Sequence, residues 1–440
     1  MYKGVVTIES LWNATANLPR FHTQKYDFKT DVLIIGGGIA GLLCGYMLQQ
    51  NGVDCTIIEA ERICSGVTAD TTAKITVQHG LIYHKLINKY GIETAQLYFT
   101  AQNNALEKFR ALNHEVRCDF SEQNAFVYSL RNRVEIENEA NALRKIGCSA
   151  IFAEKVNLPF HVKGAVCVPR QGQFHPLQFL RHIAKNLKIY EYTRALEIRS
   201  SEVTTNRGKI LADSIIVTTH FPFIDSHGWY FLKMHQHRSY VLGLQGVPDV
   251  NGMYVDAALT GLSFRNADGL LLLGGGGHRT GKKGGNWAQL SDFARTNFPE
   301  AKEVFRWGTQ DCITLDGLPY VGQYAKNTPN LYVATGFNKW GMTNAMAAAT
   351  VLTDLILGKD NPCAGIFDPG RRIFHTQLAV NIVHSVLGMI TPTTPRCPHL
   401  GCALRYNKQE RSWDCPCHGS RFSEDGKLLD APANKDKDIS

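Results

Sequence analysis

Apolar residues follow two rhythms in the N-terminal part of the chain. Asp31–Ile35 (DVLII) is a short, nearly continuous apolar run of β-formers, which predicts a buried parallel strand. Beyond a glycine turn, apolar positions at Leu42, Met47 and their neighbours recur with helical spacing, and a second short run, Cys55–Ile58, ends at Glu59. In the C-terminal part, Phe374, Leu378, Ile382, Val386 and Ile390 form a stripe that predicts a helix over 374–390, its apolar side turned to the protein core. Gly269–Gly285 (GLLLLGGGGHRTGKKGG) reads as a strand and a loop; its glycines are consecutive and no helical pattern follows. No apolar run reaches the roughly 18 residues of a membrane span.

The turn between the first strand and the first helix carries Gly36, Gly38 and Gly41 in GxGxxG spacing, and Glu59 lies 18 residues after Gly41. Each position has a physical task. Gly36 permits the tight turn, Gly38 lets the backbone approach a pyrophosphate, and Gly41 lets the helix pack close to the strand. The helix N-terminus faces the phosphates, and Glu59 is placed to accept hydrogen bonds from a ribose. Strand, motif, helix, strand and acid in this order predict a dinucleotide site.

The glycine motif followed by SGVTADTTAK (Ser65–Lys74) resembles the FAD-dependent oxidoreductases of the D-amino-acid oxidase and glycine oxidase superfamily. Four further stretches extend the resemblance: GQFHPLQFLRHIA (Gly172–Ala184), ADSIIVTTHFPF (Ala212–Phe223, with Thr218-Thr219-His220), RWGTQDCITLDGLPYVG (Arg306–Gly322) and LYVATGFNKWGMTNAMAAATVLTDLILG (Leu331–Gly358). In the last, Gly336-Phe337-Asn338 and Gly341-Met342-Thr343-Asn344 open an Ala-rich helix. The resemblance implies that this helix points its N-terminus at the pyrimidine edge of the flavin, where its dipole favours negative charge.

It also implies an α/β fold, a Rossmann-like FAD domain (about 28–78, 145–225 and 305–370) interleaved with an α+β substrate domain (about 79–144 and 226–304). Residues 1–27 are then an N-terminal extension. The implied FAD contacts are Gly36, Gly38, Gly41, Glu59, Thr71, Thr72, Ala73, Gly336, Phe337, Asn338, Gly341, Met342 and Thr343. The superfamily offers no essential acid or base to carry over. His175, Arg238, Tyr240, His278 and Gln310 fall in segments expected near flavin or substrate, with structural roles favoured for each.

The tail CPHLGCALRYNKQERSWDCPCHGS (Cys397–Ser420) holds four of the twelve cysteines and two histidines. Its ligand groups are Cys397-x-His399 and Cys415-x-x-His418, with 15 residues between His399 and Cys415. Zinc also takes two Cys and two His, but its paired ligands are usually separated by about two to four residues. One intervening residue makes it hard for Cys397 and His399 to reach a single ion. Two metal atoms remove the difficulty, each loop sending its Cys to one iron and its His to the other, as in a Rieske [2Fe–2S] cluster. The flanking residues resemble Rieske proteins closely. That resemblance implies a disulfide between Cys402 and Cys417, with two free thiols as the alternative, and a Ser420 hydroxyl bonded to a bridging sulfide. Phe422 stands where high-potential members carry Tyr, so one donor to the cluster is missing.

Thr391–Arg396 leads straight from the predicted helix to Cys397, so 371–395 reads as helix and linker and 396–440 as a small β-rich Rieske subdomain with a reduced scaffold. Its histidines are expected at an exposed tip.

Composition is that of a globular protein, with 44% hydrophobic and 20% charged residues and a net charge of +8 without long Lys/Arg runs, which argues against nucleic acid as a partner. The N-terminus lacks a secretory pattern and eight cysteines are scattered, which predicts a cytoplasmic setting. The pairing of cofactors predicts an enzyme that oxidises a small molecule, an amine or amino acid, at FAD and passes electrons singly through the cluster to an external acceptor protein, or the reverse. A non-enzymatic redox sensor or electron-transfer module is the alternative. A ring-hydroxylating oxygenase would need a mononuclear iron; His79 and His84 have a suggestive spacing but lack the accompanying Asp.

Overall fold

The computed structural model describes residues 6–371, 391 and 395–438. The predicted helix over 374–390 lies outside the described residues.

The first strand, Phe28–Ile35, is buried along Val32–Ile35 and runs parallel to Cys55–Ile58 on one side and Gly208–Val217 on the other. Burial on both faces explains its continuous apolar run. These strands belong to an eight-stranded sheet whose main path also takes in Lys188–Tyr190, Leu331–Thr335 and Tyr320–Gln323. The helix Ile39–Gln50 packs against Gly341–Ile356.

A nine-stranded sheet forms the second layer, in the order Lys302–Thr314, Met234–Gln245, Leu270–Arg279, Ser263–Ala267, Met253–Asp256, Ser121–Ser129, Gly164–Gln173 and Lys74–Ile75, with Ile151–Ala153 on Gly164–Gln173. This departs from the expected segment boundaries. Residues 151–173 and 305–314, which fall in the expected FAD segments, pair in the second sheet. The reason is hydrogen bonding that local sequence does not encode: Gly164–Gln173 finds Ser121–Ser129, and Lys302–Thr314 finds Met234–Gln245. Leu270–Arg279 is the expected strand, but a helix, Asn286–Asn297, follows its loop where none was predicted. Its buried Trp287, Leu290 and Ala294 are too sparse to stand out as a stripe.

The N-terminal extension is part of the body. Its short helix Leu11–Thr15 buries Leu11 and Trp12, and Trp12 Nε1 donates to Thr71 O at 2.7 Å.

The C-terminal module is a four-stranded antiparallel sheet of three-residue strands, Arg405–Asn407, Ser412–Asp414, Arg421–Ser423 and Leu428–Asp430. A small core of Cys397, Cys402, Leu404, Cys415, Cys417, Phe422 and Ala433 fills it. Among the described residues no helix is long and apolar enough to cross a membrane.

Candidate functional site

The glycine turn is held from three sides. Gly36 N–H donates to Ile58 O at 2.9 Å and Thr218 Oγ1 donates to Gly36 O at 3.1 Å. A Cβ at Gly41 would lie 1.9 Å from Gly36 O, so this position admits no side chain without moving the turn. A Cβ at Gly38 would meet only Thr68 Oγ1, at 3.1 Å, because the position opens onto a cavity. Glu59 accepts from Gly37 N–H at 2.7 Å and from Glu61 N–H at 2.9 Å, while burial pushes its carboxyl upward.

The cavity has a volume of 1340 Å³, beyond the roughly 300–1,000 Å³ of drug-sized pockets and suited to an extended dinucleotide. Of the expected FAD contacts, Gly36, Gly38, Glu59, Thr71, Thr72, Gly336, Phe337, Asn338, Gly341 and Met342 line it. Three do not. Gly41 is packed on Gly36, the Ala73 carbonyl accepts from Arg265 at 2.7 Å, and the Thr343 hydroxyl pairs with His79 Nε2 at 2.9 Å. These sit behind the wall and shape it.

The helix Gly341–Ile356 directs its N-terminus to the cavity, steadied by His79. That ring meets Tyr98 Oη at 2.7 Å and stacks on Trp340 at 5.0 Å, and burial holds it down at about 3, so it is neutral. His84 pairs with Asn88 instead, so the two histidines do not form an iron site.

Sequence reasoning missed four cavity residues with ionisable groups. Lys339 Nζ donates to Ser239 Oγ at 3.0 Å, near Asp311; burial pushes the lysine down and the carboxyl up. Lys74 donates to Thr72 Oγ1 at 3.1 Å, and burial, then Arg265, lowers it to about 7. His220 lines the cavity with a buried Nε2 that has no hydrogen-bond partner. That orphaned atom, and the space at Gly38, fit a bound FAD. A lysine or histidine inside a Gly/Thr-rich loop is the only signal the sequence offered.

The second site lies in the tail. Cys402 and Cys417 form a disulfide. It joins two loops: in one, Cys397 N–H donates to Cys402 O at 2.8 Å; in the other, Gly419 N–H donates to Cys415 O at 3.0 Å. Cys397, His399, Cys415 and His418 converge. The Cys415 side chain, then the His399 backbone N–H and the Ser420 hydroxyl, hold the Cys397 thiol down at about 6 against its burial, while Cys415 is pushed up beside it. The imidazoles of His399 and His418 lie 5.0 Å apart. His399 turns Nε2 to Asp225, at 3.0 Å, and leaves a buried Nδ1 without a hydrogen-bond partner. Two thiols and an orphaned imidazole nitrogen suit a two-iron cluster. Ser420 Oγ also accepts from Ala433 N–H at 3.0 Å.

The expected exposed tip is overturned. His418 is 1% exposed and the His399 side chain 4%, because both face the flavin body. Phe231 presents its ring to His418 at 5.5 Å and to His399 at 6.3 Å. Gln236 Nε2 donates to His418 O at 2.9 Å, Gln310 Nε2 to Gly419 O at 2.9 Å and Arg279 to Cys417 O at 3.1 Å. A Cβ at Gly419, whose φ is +90°, would lie 2.5 Å from Gln236 Cβ, so the two backbones meet closely.

A buried ion network completes the junction. Glu410 receives Arg238 Nε at 3.0 Å, Tyr240 Oη at 2.8 Å and Arg421 at 2.9 Å; Arg421 also binds Asp414 and Asp430. Arg238, Tyr240 and Gln310 therefore serve the interface. His278 stacks on Tyr240 at 5.8 Å, and His175 caps the helix Pro176–Ile183.

Residues 31–355 match the FAD dependent oxidoreductase family DAO, and residues 369–438 match the Rieske [2Fe-2S] domain. One relative is YhfW of Bacillus subtilis (strain 168), named for a Rieske 2Fe-2S iron-sulfur protein; it is 33% identical over 97% of this chain and 96% of its own. Gamma-glutamylputrescine oxidoreductase of Escherichia coli (strain K12) is 22% identical over 79% of this chain and 89% of its own. Among solved structures, L-proline dehydrogenase from P. horikoshii has a TM-score of 0.66 at 17% identity, covering 78% of this chain and 97% of that one. Glycine oxidase from Geobacillus kaustophilus has a TM-score of 0.65 at 20% identity, covering 79% and 100%.

Proposed function

Because the chain belongs to the FAD dependent oxidoreductase family and carries a Rieske domain at its C-terminal side, we propose that it oxidises a small amine or amino acid and exchanges electrons between its two cofactors within one chain. When bound, FAD supplies two-electron chemistry with the substrate and single-electron release, and the cluster supplies one-electron carriage.

The protein's own groups fit these tasks. The N-terminus of Gly341–Ile356 offers positive potential to one end of the cavity. Lys339 and Asp311, of opposite sign and both desolvated, stand at that end, where a small zwitterion would meet a partner for each charge. Relatives named for glycine, L-proline and gamma-glutamylputrescine support the substrate class.

The observation that carries the intramolecular route is the burial of His399 and His418 against Asp225, Phe231 and Gln236. The route needs no diffusion step, since the cluster ligands already lie against the flavin body. A one-electron carrier protein is then needed only as the final acceptor or first donor.

The test is anaerobic mixing of the purified protein with amines, amino acids and hydroxy acids, following flavin bleaching and the cluster's EPR signal together. A substrate that bleaches the flavin and brings up the reduced-cluster signal at the same rate in dilute and concentrated protein supports the reading. Bleaching with no cluster signal, or a signal whose rate rises with protein concentration, defeats the intramolecular route. If no compound bleaches the flavin, the alternative of a redox sensor gains.

A further inference from the structure

The cluster module does more than dock. Its last strand and the segment beyond it, residues 427–434, line the same cavity as the glycine turn. At one end Lys427 and Asn434 stand with Glu61 and Arg194, beside the acidic end of the second strand. Asp430 and Ala431 line the cavity together with Thr219 and His220, whose Nε2 is the orphaned atom.

This wall is fixed from both sides. Gln236 Nε2, a flavin-body group, donates to Ala431 O at 2.6 Å while also holding His418 O. Within the module, Ala433 N–H donates to Ser420 Oγ at 3.0 Å, the same hydroxyl that touches Cys397. One hydrogen bond therefore separates a cavity-lining residue from the shell of a cluster ligand. Asp430 is tied to Arg421 at 3.0 Å, and Arg421 to Glu410, so the wall is continuous with the ion network that fastens the module.

We infer that residues 427–434 of the cluster module are part of the FAD-binding site, so that the dinucleotide is enclosed between the glycine turn on one side and the Rieske domain on the other. It follows that FAD binding and module docking stabilise each other, as linkage requires of two events that share a surface. The inference rests on FAD binding and not on the substrate or the direction of electron flow.

The experiment is amide hydrogen exchange on the full chain, cluster intact by iron content, stripped of FAD and then reloaded with FAD. The glycine-turn peptide covering Gly36–Gly41 is the internal control. The expected result is that FAD slows exchange in both that peptide and the 427–434 peptide, the latter by about ten-fold or more, as for amides that open only when a ligand leaves. Protection of the glycine turn with unchanged exchange across 427–434 overturns the inference while leaving the FAD site intact. Protection of neither overturns the FAD assignment itself. In parallel, Gln236→Leu, which frees both Ala431 O and His418 O from their shared donor, should weaken FAD binding by about five-fold or more when compared on the iron-loaded fraction of each protein; an affinity within about two-fold of wild type counts against the shared wall.

Discussion

Arg238→Met tests the junction most directly. Arg238 is a flavin-body residue whose guanidinium binds Glu410 of the cluster module, with side-chain exposures of 8% and 6%. Burial alone would push Glu410 upward, but Arg238 and Arg421 overcome it and hold the carboxyl at about 2, against 4.5 ordinarily. That depression is worth roughly 3 kcal/mol. Arg421 remains on the carboxylate at 2.9 Å, so the variant should lose part of this, about 2 kcal/mol, a factor of about 30 in the docking equilibrium. The sign with pH follows from the depressed value: the contribution is complete above the unfolded 4.5 and is lost as pH falls toward 2. By pH 4 the wild type should already have lost part of it, and the variant less. The assay is the urea midpoint for bleaching of the cluster chromophore at pH 7 and at pH 4, for wild type, Arg238→Met and Arg238→Lys. Lysine keeps the charge without the fork and should fall between them. Equal midpoints for wild type and Arg238→Met at pH 7, with parallel losses at pH 4, would refute the argument.

Gly38→Val should fold yet purify without yellow colour, since its side chain enters the cavity; Gly41→Ala should instead lower stability, because its Cβ would sit 1.9 Å from Gly36 O. A folded, stoichiometrically flavinated Gly38→Val protein would be the contrary result. The purified chain should contain two irons and two acid-labile sulfides and no stoichiometric zinc; one zinc and no labile sulfide would reject the cluster. His79→Leu should leave FAD bound but shift its reduction potential downward, because the helix N-terminus loses the ring that meets Thr343 and stacks on Trp340. Spectroelectrochemical titration reads this, and an unchanged potential would limit His79 to packing.

What the sequence disclosed was what short segments determine alone. Gly36, Gly38 and Gly41 are constrained by one turn, and the Cys-x-His and Cys-x-x-His spacings by two loops, so a local reading reached both sites. Contacts between distant segments were hidden. Arg238 and Glu410 lie 172 positions apart, and nothing near either announces a buried partner. Gln236 and Gln310 look like ordinary polar strand residues, although their amides hold backbone carbonyls of the cluster loops. Gly164–Gln173 joins the second sheet because Ser121–Ser129 offers a ladder, and neither run specifies the other. The motif places its histidines at a free tip because it says nothing about what covers it.

That cover makes one last variant informative. His418→Cys replaces a neutral ligand by an anionic one, which adds negative charge to the cluster in both oxidation states and so lowers its potential. In an exposed cluster the added charge is screened by ions and water, and the shift shrinks as salt rises, with a Debye length of about 10 Å at 0.1 M and about 3 Å at 1 M. Here His418 is 1% exposed and is surrounded by Phe231, His399 and the Gln236 amide. Counter-ions cannot approach, so the shift should be large and nearly independent of salt. EPR-monitored redox titration of wild type and variant at low and high ionic strength separates the cases. A shift that collapses at high salt would mean that the ligand loops leave the flavin body in solution, and the argument for intramolecular exchange, which depends on their burial, would fail with it. A shift that persists leaves the module docked, with its ligand loops buried against the body through which the proposed exchange would run, in either direction.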